Sequence, residues 1–263
     1  MFKLITKNDL KNQLSKMGIK PTDTVLIHIS LKALGEVDGG ADAVIDAFCE
    51  YLSEGMFIVP THTWDSVTKD NPVFDVRTAV PCIGTLPRIA AKRSDGVRTL
   101  HPTHSMWIHG SNAEVYAEGE ENAGSPGAKG FCWDRLADVG AKILLIGVKH
   151  DRDTFIHSID EHVELPNRLG ESFEVTITDS KGQQLKRFFR SHHCSRTYDV
   201  SQYYVNFEKP LVELGAQKFG TLGNAEVRIV DAKMTRDIIS GIYSHADESF
   251  FTQFTEIPEE WYR

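Results

Sequence analysis

The sequence lacks any apolar run long enough to cross a bilayer, and its first ten residues, MFKLITKNDL, lack the apolar segment of a secretory signal peptide. Cysteine is also scarce. Four cysteines are spread over 263 residues and none forms a CxxC pair: Cys49, Cys82, Cys132 and Cys194. Widely spaced thiols of this kind are typical of reduced cysteines in a cytoplasm. We therefore expect a cytoplasmic protein that has no membrane partner.

Basic residues are fewer than acidic ones, since 29 Lys and Arg against 37 Asp and Glu give a net charge of −8. This surplus of negative charge argues against nucleic acid or an anionic membrane as a partner and favours a cationic small molecule. No repeat, low-complexity segment or linker divides the chain, so we expect one domain over residues 1–263. The aromatic tail Phe250–Arg263 can pack on its own domain or on a second copy, which leaves a homodimer open.

The common nucleotide and metal motifs GxGxxG, GxxxxGK[ST] and HExxH are absent. The chemistry is predicted instead around residues 141–168, where the apolar strand Ala141–Val148 is followed by a polar loop and the predicted helix Thr154–Glu164. On that helix His157 precedes Asp160 by three residues and Glu161 by four, so the three side chains share one face. A histidine held by a carboxylate can accept a proton from a nucleophile. A His–carboxylate pair on a solvated helix explains the pattern equally well.

The first predicted strand, residues 24–28, is followed by Gly35, Gly39 and Gly40 and then by a helix. This strand, glycine-rich turn and helix can present backbone N–H groups to a phosphate. An ordinary turn between a strand and a helix has the same pattern. After the second predicted strand, polar residues from Thr61 onward suit a pocket wall, and residues 65–84 lack periodicity and are predicted to form a long loop.

Two polar segments lie in the middle of the chain. The first, His101-Pro-Thr-His104-Ser105, is either a functional cluster or a proline turn with surface histidines. The second, residues 124–130, contains three glycines and Ser125 and leads into a predicted helix. It is either an anion-binding loop or a flexible connection.

Strands dominate the last third of the chain. Phe173–Thr178 and Leu185–Arg190 are predicted to form one hairpin, and Phe219–Val230, interrupted at Gly223-Asn224, a second one. A final helix is predicted over Asp231–Asp247. The fold class expected from these elements is α/β, with a mixed central sheet flanked by helices and a β-rich C-terminal lobe.

Taken in order, the motifs resemble those of the aminoglycoside 3-N-acetyltransferase family, antibiotic acetyltransferases whose fold differs from that of the GNAT superfamily. The resemblance runs from about Leu26 to the final helix. The matching segments are His28-Ile29-Ser30-Leu31 with the glycines that follow, Pro60-Thr61, His101–Ser105, Leu144–Val148 with Asp153–His157, and Gly220–Ala225. Ile29 stands where the family has a serine, and Asp160 stands where it usually has a glutamate.

The resemblance implies a transferase that moves acetyl from acetyl-CoA to an amino group of an aminoglycoside or a related amine, with a role in antibiotic resistance and no metal. The family's catalytic histidine falls on His157, and either Asp160 or Glu161 is expected to orient its ring. Backbone N–H groups near Ser30 or Ser105 are expected to bind the thioester oxygen. The residues expected to contact the cofactor are His28, Ser30, Leu31, Gly35, Gly39, Gly40, Thr61, His101, Ser105 and Ser125.

Two alternatives come from other classes of protein. One is a zinc-dependent hydrolase in which His157 and Glu161 join His192, His193 or Cys194 around the metal. The other is a non-catalytic relative that binds CoA. A cysteine nucleophile at Cys194, beside two histidines, is a weaker hypothesis, because residues adjacent in sequence rarely share the geometry that such catalysis needs.

Overall fold

A computed structural model describes residues 4–192 and 199–263. The strands within these ranges are β1 (Thr24–Ile29), β2 (Met56–Pro60), β3 (Val73–Asp75), β4 (Val97–Arg98), β5 (Met106–Gly110), β6 (Lys142–Ile146), β7 (Leu169–Thr178), β8 (Gln184–His192), β9 (Gln217–Leu222) and β10 (Ala225–Asp231). The α-helices are α1 (Lys7–Lys16), α2 (Leu31–Leu34), α3 (Gly40–Tyr51), α4 (Thr85–Ala90), α5 (Ala113–Ala117), α6 (Cys132–Asp138), α7 (Thr154–His162), α8 (Glu208–Glu213) and α9 (Ala232–Tyr243). Short 3₁₀ helices cover Glu120–Asn122, His150–Arg152, Val200–Phe207, Glu248–Thr252 and Glu259–Trp261. No helix in the described ranges has the length and hydropathy needed to span a bilayer.

The main sheet has seven strands in the order β4-β5-β2-β1-β6-β10-β9. Its centre is parallel, because β1 pairs in parallel with both β2 and β6, while β5, β4, β10 and β9 run antiparallel to their neighbours. This arrangement confirms the α/β class with a mixed sheet. The chain goes from β1 to β2 on one side and returns to β6 on the other, so the strand order reverses at β1. In α/β sheets the crevice at the carboxyl ends of such strands is where ligands bind.

Alternation along β1 decides which side chains reach that crevice. Val25 and Ile27 pack into the core formed with α1, α3 and α4, whereas Leu26 packs on the opposite face with α6, α7 and α9. Since side chains alternate between the two faces of a strand, His28 lies on the same face as Leu26. Its ring stacks on Trp133 of α6, with the ring centroids 6.2 Å apart.

A second sheet has the order β3-β7-β8. The predicted hairpin of β7 and β8 is confirmed. The prediction that residues 65–84 form a loop without secondary structure is wrong at β3, which pairs in parallel with residues 176–178. Three residues are too short to show a period in the sequence. The predicted second hairpin, β9 and β10, is also confirmed, but it joins the main sheet, so the C-terminal strands divide between two sheets.

Because Gly147 has no side chain, the connection after β6 can pass close to helix α2, which follows β1. Gly147 follows β6 with a φ of 65°, and a Cβ at this position would lie 2.3 Å from the Cβ of Ala33 in α2. A side chain is therefore excluded both by the left-handed backbone and by the contact with α2.

We expect Gly147→Ala to lower the free energy of unfolding by about 3 kcal/mol, because backbone strain and overpacking add. Gly140→Ala is the matched control, since Gly140 has a φ of 61° but a Cβ added there would have no atom within 4 Å. The control should lose only about 1 kcal/mol. Urea unfolding of both variants measures the difference, and equal losses would show that the contact with Ala33 is unimportant.

Candidate active site

Histidine side chains from four separate segments meet at the carboxyl edge of the parallel strands. His62 follows β2, His104 precedes β5, His157 lies on α7 and His192 ends β8. Their rings form a continuous series. The centroid distances are 4.4 Å for His62–His104, 5.1 Å for His104–His192 and 4.1 Å for His192–His157. The fold therefore brings polar groups to the predicted crevice.

Helix α7 carries the residues singled out in the sequence. Asp153 caps it by accepting the N–H of Phe155 at 3.3 Å, as its position before the apolar run predicts. His157 is partly exposed, while Asp160 is completely buried. The helix confirms that His157, Asp160 and Glu161 lie on one element, but the two carboxylates contact different partners.

The Asp160 carboxylate accepts hydrogen bonds from three other segments of the chain. The Tyr204 hydroxyl donates to Oδ2 at 2.6 Å and the Tyr243 hydroxyl to Oδ1 at 2.6 Å. Arg168 Nε donates to Oδ2 at 2.8 Å. Burial raises the pKa of Asp160, and the Arg168 charge with the two hydroxyl donors opposes this effect. With only donors around it, the group is held as a carboxylate at neutral pH.

Tyr204 connects this carboxylate to His157, because its hydroxyl oxygen also lies 2.8 Å from His157 Nδ1. A phenol has one proton, and here that proton is donated to Asp160. The Tyr204 oxygen must therefore accept a hydrogen bond from Nδ1–H of His157. This arrangement selects the tautomer with a proton on Nδ1 and a lone pair on Nε2. Burial, and then the charges of His192, Arg168 and His62, lower the pKa of His157.

Glu161 does not contact His157 in this arrangement. Its carboxylate accepts hydrogen bonds from the Ser125 hydroxyl, from the Gly127 N–H at 2.7 Å, and from His192 Nε2 at 3.1 Å. Burial disfavours the ionised form, but the His192 hydrogen bond and charge, with those two donors, lower the pKa of Glu161. The loop at residues 124–130 thus binds a carboxylate of the protein itself, that of Glu161.

His101 and Ser105 lie inside the protein. His101 Nδ1 accepts the backbone N–H groups of Thr103 and His104, at 3.2 and 2.8 Å, so its Nε2–H donates to the Ser125 carbonyl at 3.0 Å. The Ser105 hydroxyl donates to the Thr61 carbonyl at 2.9 Å. These side chains therefore use their polar atoms in hydrogen bonds within the protein.

The turn after β1 forms a separate region. The Ser30 hydroxyl caps α2 by accepting the Ala33 N–H at 3.3 Å, and Gly35 packs so tightly on Asn224 that a Cβ would lie 2.5 Å from its Nδ2. Gly39 and Gly40 begin α3 with positive φ angles. Beside them is a cleft of about 370 Å³, lined by Leu4, Leu31, Gly35, Glu36, Val37, Gly40, Ala41 and Val44.

Sequence reasoning missed the residues that complete the site: Tyr204, Tyr243, Arg168 and, as a contact of Glu161, His192. No motif connects them to α7. The described residues contain no group of three or more side chains suited to a metal ion, and His193 and Cys194, which the zinc hypothesis also invokes, lie outside those residues.

Neutral buried histidines make stability depend on pH. Burial lowers the pKa of His28 and of His101 to about 4, whereas an unfolded histidine has a pKa near 6.5. Between pH 6.5 and pH 4 these two histidines take up protons only in the unfolded state. Their contribution to the free energy of unfolding is therefore fully retained above pH 6.5 and is lost as the pH falls toward 4.

We expect each of these two histidines to contribute roughly 2 kcal/mol to the loss of stability between pH 7.5 and pH 5. The variant His28→Leu has only one of the two histidines. Between pH 7.5 and pH 5 its free energy of unfolding should therefore fall by roughly 2 kcal/mol less than that of the wild type. Urea unfolding at the two pH values measures both quantities. An identical pH dependence in wild type and His28→Leu would contradict the assignment.

The sequence is similar to those of known proteins. Residues 26–243 match the family described as aminoglycoside 3-N-acetyltransferase. Aminoglycoside N(3)-acetyltransferase III of Serratia marcescens is 25% identical, over 93% of this chain and 98% of the relative. The enzyme of the same name from Acinetobacter baumannii is 23% identical, over 93% of this chain and 92% of the relative.

Solved structures resemble the fold as well. The crystal structure of aminoglycoside acetyltransferase AAC(3)-Xa has a TM-score of 0.75 at 25% identity, over 89% of this chain and 90% of that chain. The apoenzyme of aminoglycoside acetyltransferase AAC(3)-IVa has a TM-score of 0.77 at 22% identity, over 99% and 94%. Because the family match spans most of the sequence, the resemblance seen in the motifs is confirmed: this chain belongs to the aminoglycoside 3-N-acetyltransferase family and is an enzyme.

Proposed function

We propose that the protein transfers the acetyl group of acetyl-CoA to an amino group of an aminoglycoside, the 3-amino group, or of a related amine, and that His157 is the general base. The observation that carries this proposal is the hydrogen-bonded series from Asp160 through Tyr204 to His157 Nδ1. It fixes the tautomer in which Nε2 has a lone pair. No described residue forms a hydrogen bond with that nitrogen, and we assign it to the acceptor amine.

Proteins of the same fold have been solved with ligands of both kinds. One structure is that of AAC-IIIb, binary with CoASH, at 18% identity and a TM-score of 0.75. Another is that of AAC-VIa bound to sisomicin, at 21% identity and a TM-score of 0.66. These names agree with the two substrates proposed for this chain.

The cleft beside the β1 turn is the proposed site for part of the CoA molecule. Its lining is mostly apolar, with Leu31, Val37 and Val44 among its side chains, so it suits the pantetheine arm. Glu36 at the same cleft would repel a pyrophosphate. The 124–130 loop is a less suitable phosphate site than its sequence indicates, because the Ser125 hydroxyl and the Gly127 N–H already bind Glu161.

In the proposed mechanism, an amine attacks the thioester carbonyl only as its free base. As the N–C bond forms, His157 Nε2 takes a proton from the attacking nitrogen and becomes an imidazolium. The C–S bond breaks and CoA leaves as the thiolate, which can take that proton back from the imidazolium. The Nδ1–H bond to Tyr204, and the Tyr204 bond to Asp160, stabilise the imidazolium charge through the hydroxyl. The charge of Arg168, whose Nε donates to Asp160, favours the ionised form of that carboxylate. A general base of this type contributes on the order of 10²–10⁴-fold.

We expect His157→Ala to lower the rate of acetyl transfer by about 10²–10⁴-fold while CoA binding persists. The assay follows free thiol release with a panel of aminoglycosides and simple polyamines, and calorimetry measures CoA binding. His245→Ala is a matched control, because His245 is exposed and stacks on Trp261. Full activity of His157→Ala would refute the proposed base, and amine-independent thiol release would refute the acceptor.

We expect Tyr204→Phe to lower kcat by at least about 10-fold, because the ring of His157 loses the acceptor that fixes its tautomer. The double variant Asp160→Glu with Tyr204→Phe should recover part of this loss, since a glutamate is one methylene longer and can reach toward Nδ1 where the hydroxyl was. Asp160→Glu alone should overpack the buried site. The same kcat in Tyr204→Phe and wild type would show that the hydroxyl has no role in the reaction.

A further inference from the structure

Two imidazole rings stack at the centre of the site. The centroids of His157 and His192 lie 4.1 Å apart, with 28° between the ring planes. Rings this close cannot both carry a positive charge without strong repulsion, which is weakly screened because the groups are largely buried. Once one ring of the pair carries a proton, a second proton on the other ring is therefore disfavoured.

The surroundings of the two rings decide which of them takes the first proton. His192 Nε2 lies 3.1 Å from Glu161 Oε1, a carboxylate that Ser125 and Gly127 also hold in place. His157 instead faces a neutral hydroxyl, that of Tyr204, and Asp160 lies beyond it. Asp160 is in addition paired with Arg168, which also pairs with Glu248, whereas Glu161 forms its ion pair with His192 itself.

We propose that His192 and Glu161 form a proton-holding pair, in which the first proton taken up by the stacked rings resides on His192 and its charge keeps His157 unprotonated and able to act as the base. This inference rests on the proposed role of His157. It makes His192 a positioning residue that acts through His157. It also gives Glu161, which the sequence offers as a partner of His157, a different role.

The charged and titratable groups around the two rings are consistent with this assignment. Among the described residues, those around His157 are Tyr204 of the 3₁₀ helix with Asp160 beyond it, Arg168 after α7, His62 after β2, His104 before β5, and His192 of β8. In the same described ranges, those around His192 are Glu161, His157, His104, His62 and His101. Glu161 is the only carboxylate among the described residues that forms an ion pair with either ring.

The test measures the protonation of His157 directly. Histidine ¹H–¹³C spectra of the substrate-free protein are followed over pH, and the His157 signals are identified by their loss in His157→Gln. His192→Phe keeps a stacked ring without a charge, and Glu161→Gln removes the partner of His192. In both variants the titration midpoint of His157 should rise by about one pH unit or more. His245→Gln is the control and should leave the midpoint unchanged.

The same variants are assayed for acetyl transfer, where the acidic limb of the kcat/KM profile should move to higher pH in His192→Phe. An unchanged or lower midpoint of His157 in His192→Phe would overturn the proposal, even if acetyl transfer depends on His157. If the midpoint rises but no amine is acetylated, the proton-holding pair stands and the proposed function fails. If one variant does not fold, the titration midpoint of His157 in the other variant decides between these outcomes.

Discussion

The buried carboxylate of Asp160 is the contact on which the rest of the site depends. It receives hydrogen bonds from Tyr204, Tyr243 and Arg168, which lie in the Val200–Phe207 helix, in α9 and just after α7. A buried carboxylate is tolerated only when such donors surround it, because desolvation penalises the charged form. These donors can reach Asp160 only when the C-terminal helices pack against α7. The packing of these helices against α7 and the hydrogen bond to His157 are thus connected through one group.

Helix α7 carries two carboxylates, and each of them is connected to a different histidine. Asp160 points into the core and reaches His157 through Tyr204, while Glu161, one residue later, faces the 124–130 loop and His192. The 100° rotation between consecutive helical residues separates their surroundings. Asp160 is paired with Arg168 and Glu161 with His192, so the two adjacent rings have different electrostatic surroundings. The proposed proton-holding pair rests on this difference.

Much of the fold could be predicted from the sequence, because long periodic segments predict their own secondary structure. The strands β1, β2 and β6, the two hairpins and α7 all follow from such patterns, and the spacing of His157, Asp160 and Glu161 placed them on one helical face. Spacings of three and four residues fit that face equally well, so the sequence could not decide which carboxylate serves His157.

Which carboxylate interacts with His157 depends on residues that are far away in the chain. Tyr204 lies 47 positions from His157, and Tyr243 lies 83 positions from Asp160. No local pattern encodes these contacts. For the same reason the sequence did not show that His101, Ser105 and Ser125 use their polar atoms within the protein, or that β3 pairs with β7. Family motifs indicate candidate segments, but the partners of each side chain depend on tertiary contacts.

The most direct test of the central claim is the tautomer of His157. Long-range ¹H–¹⁵N spectra of histidine-labelled protein at neutral pH distinguish the two ring nitrogens, and His157→Gln identifies the signals. We predict a proton on Nδ1 and an unprotonated Nε2, because the Tyr204 hydroxyl donates its only proton to Asp160. A proton on Nε2 would contradict this arrangement, since the base proposed for acetyl transfer would then have its lone pair directed at Tyr204.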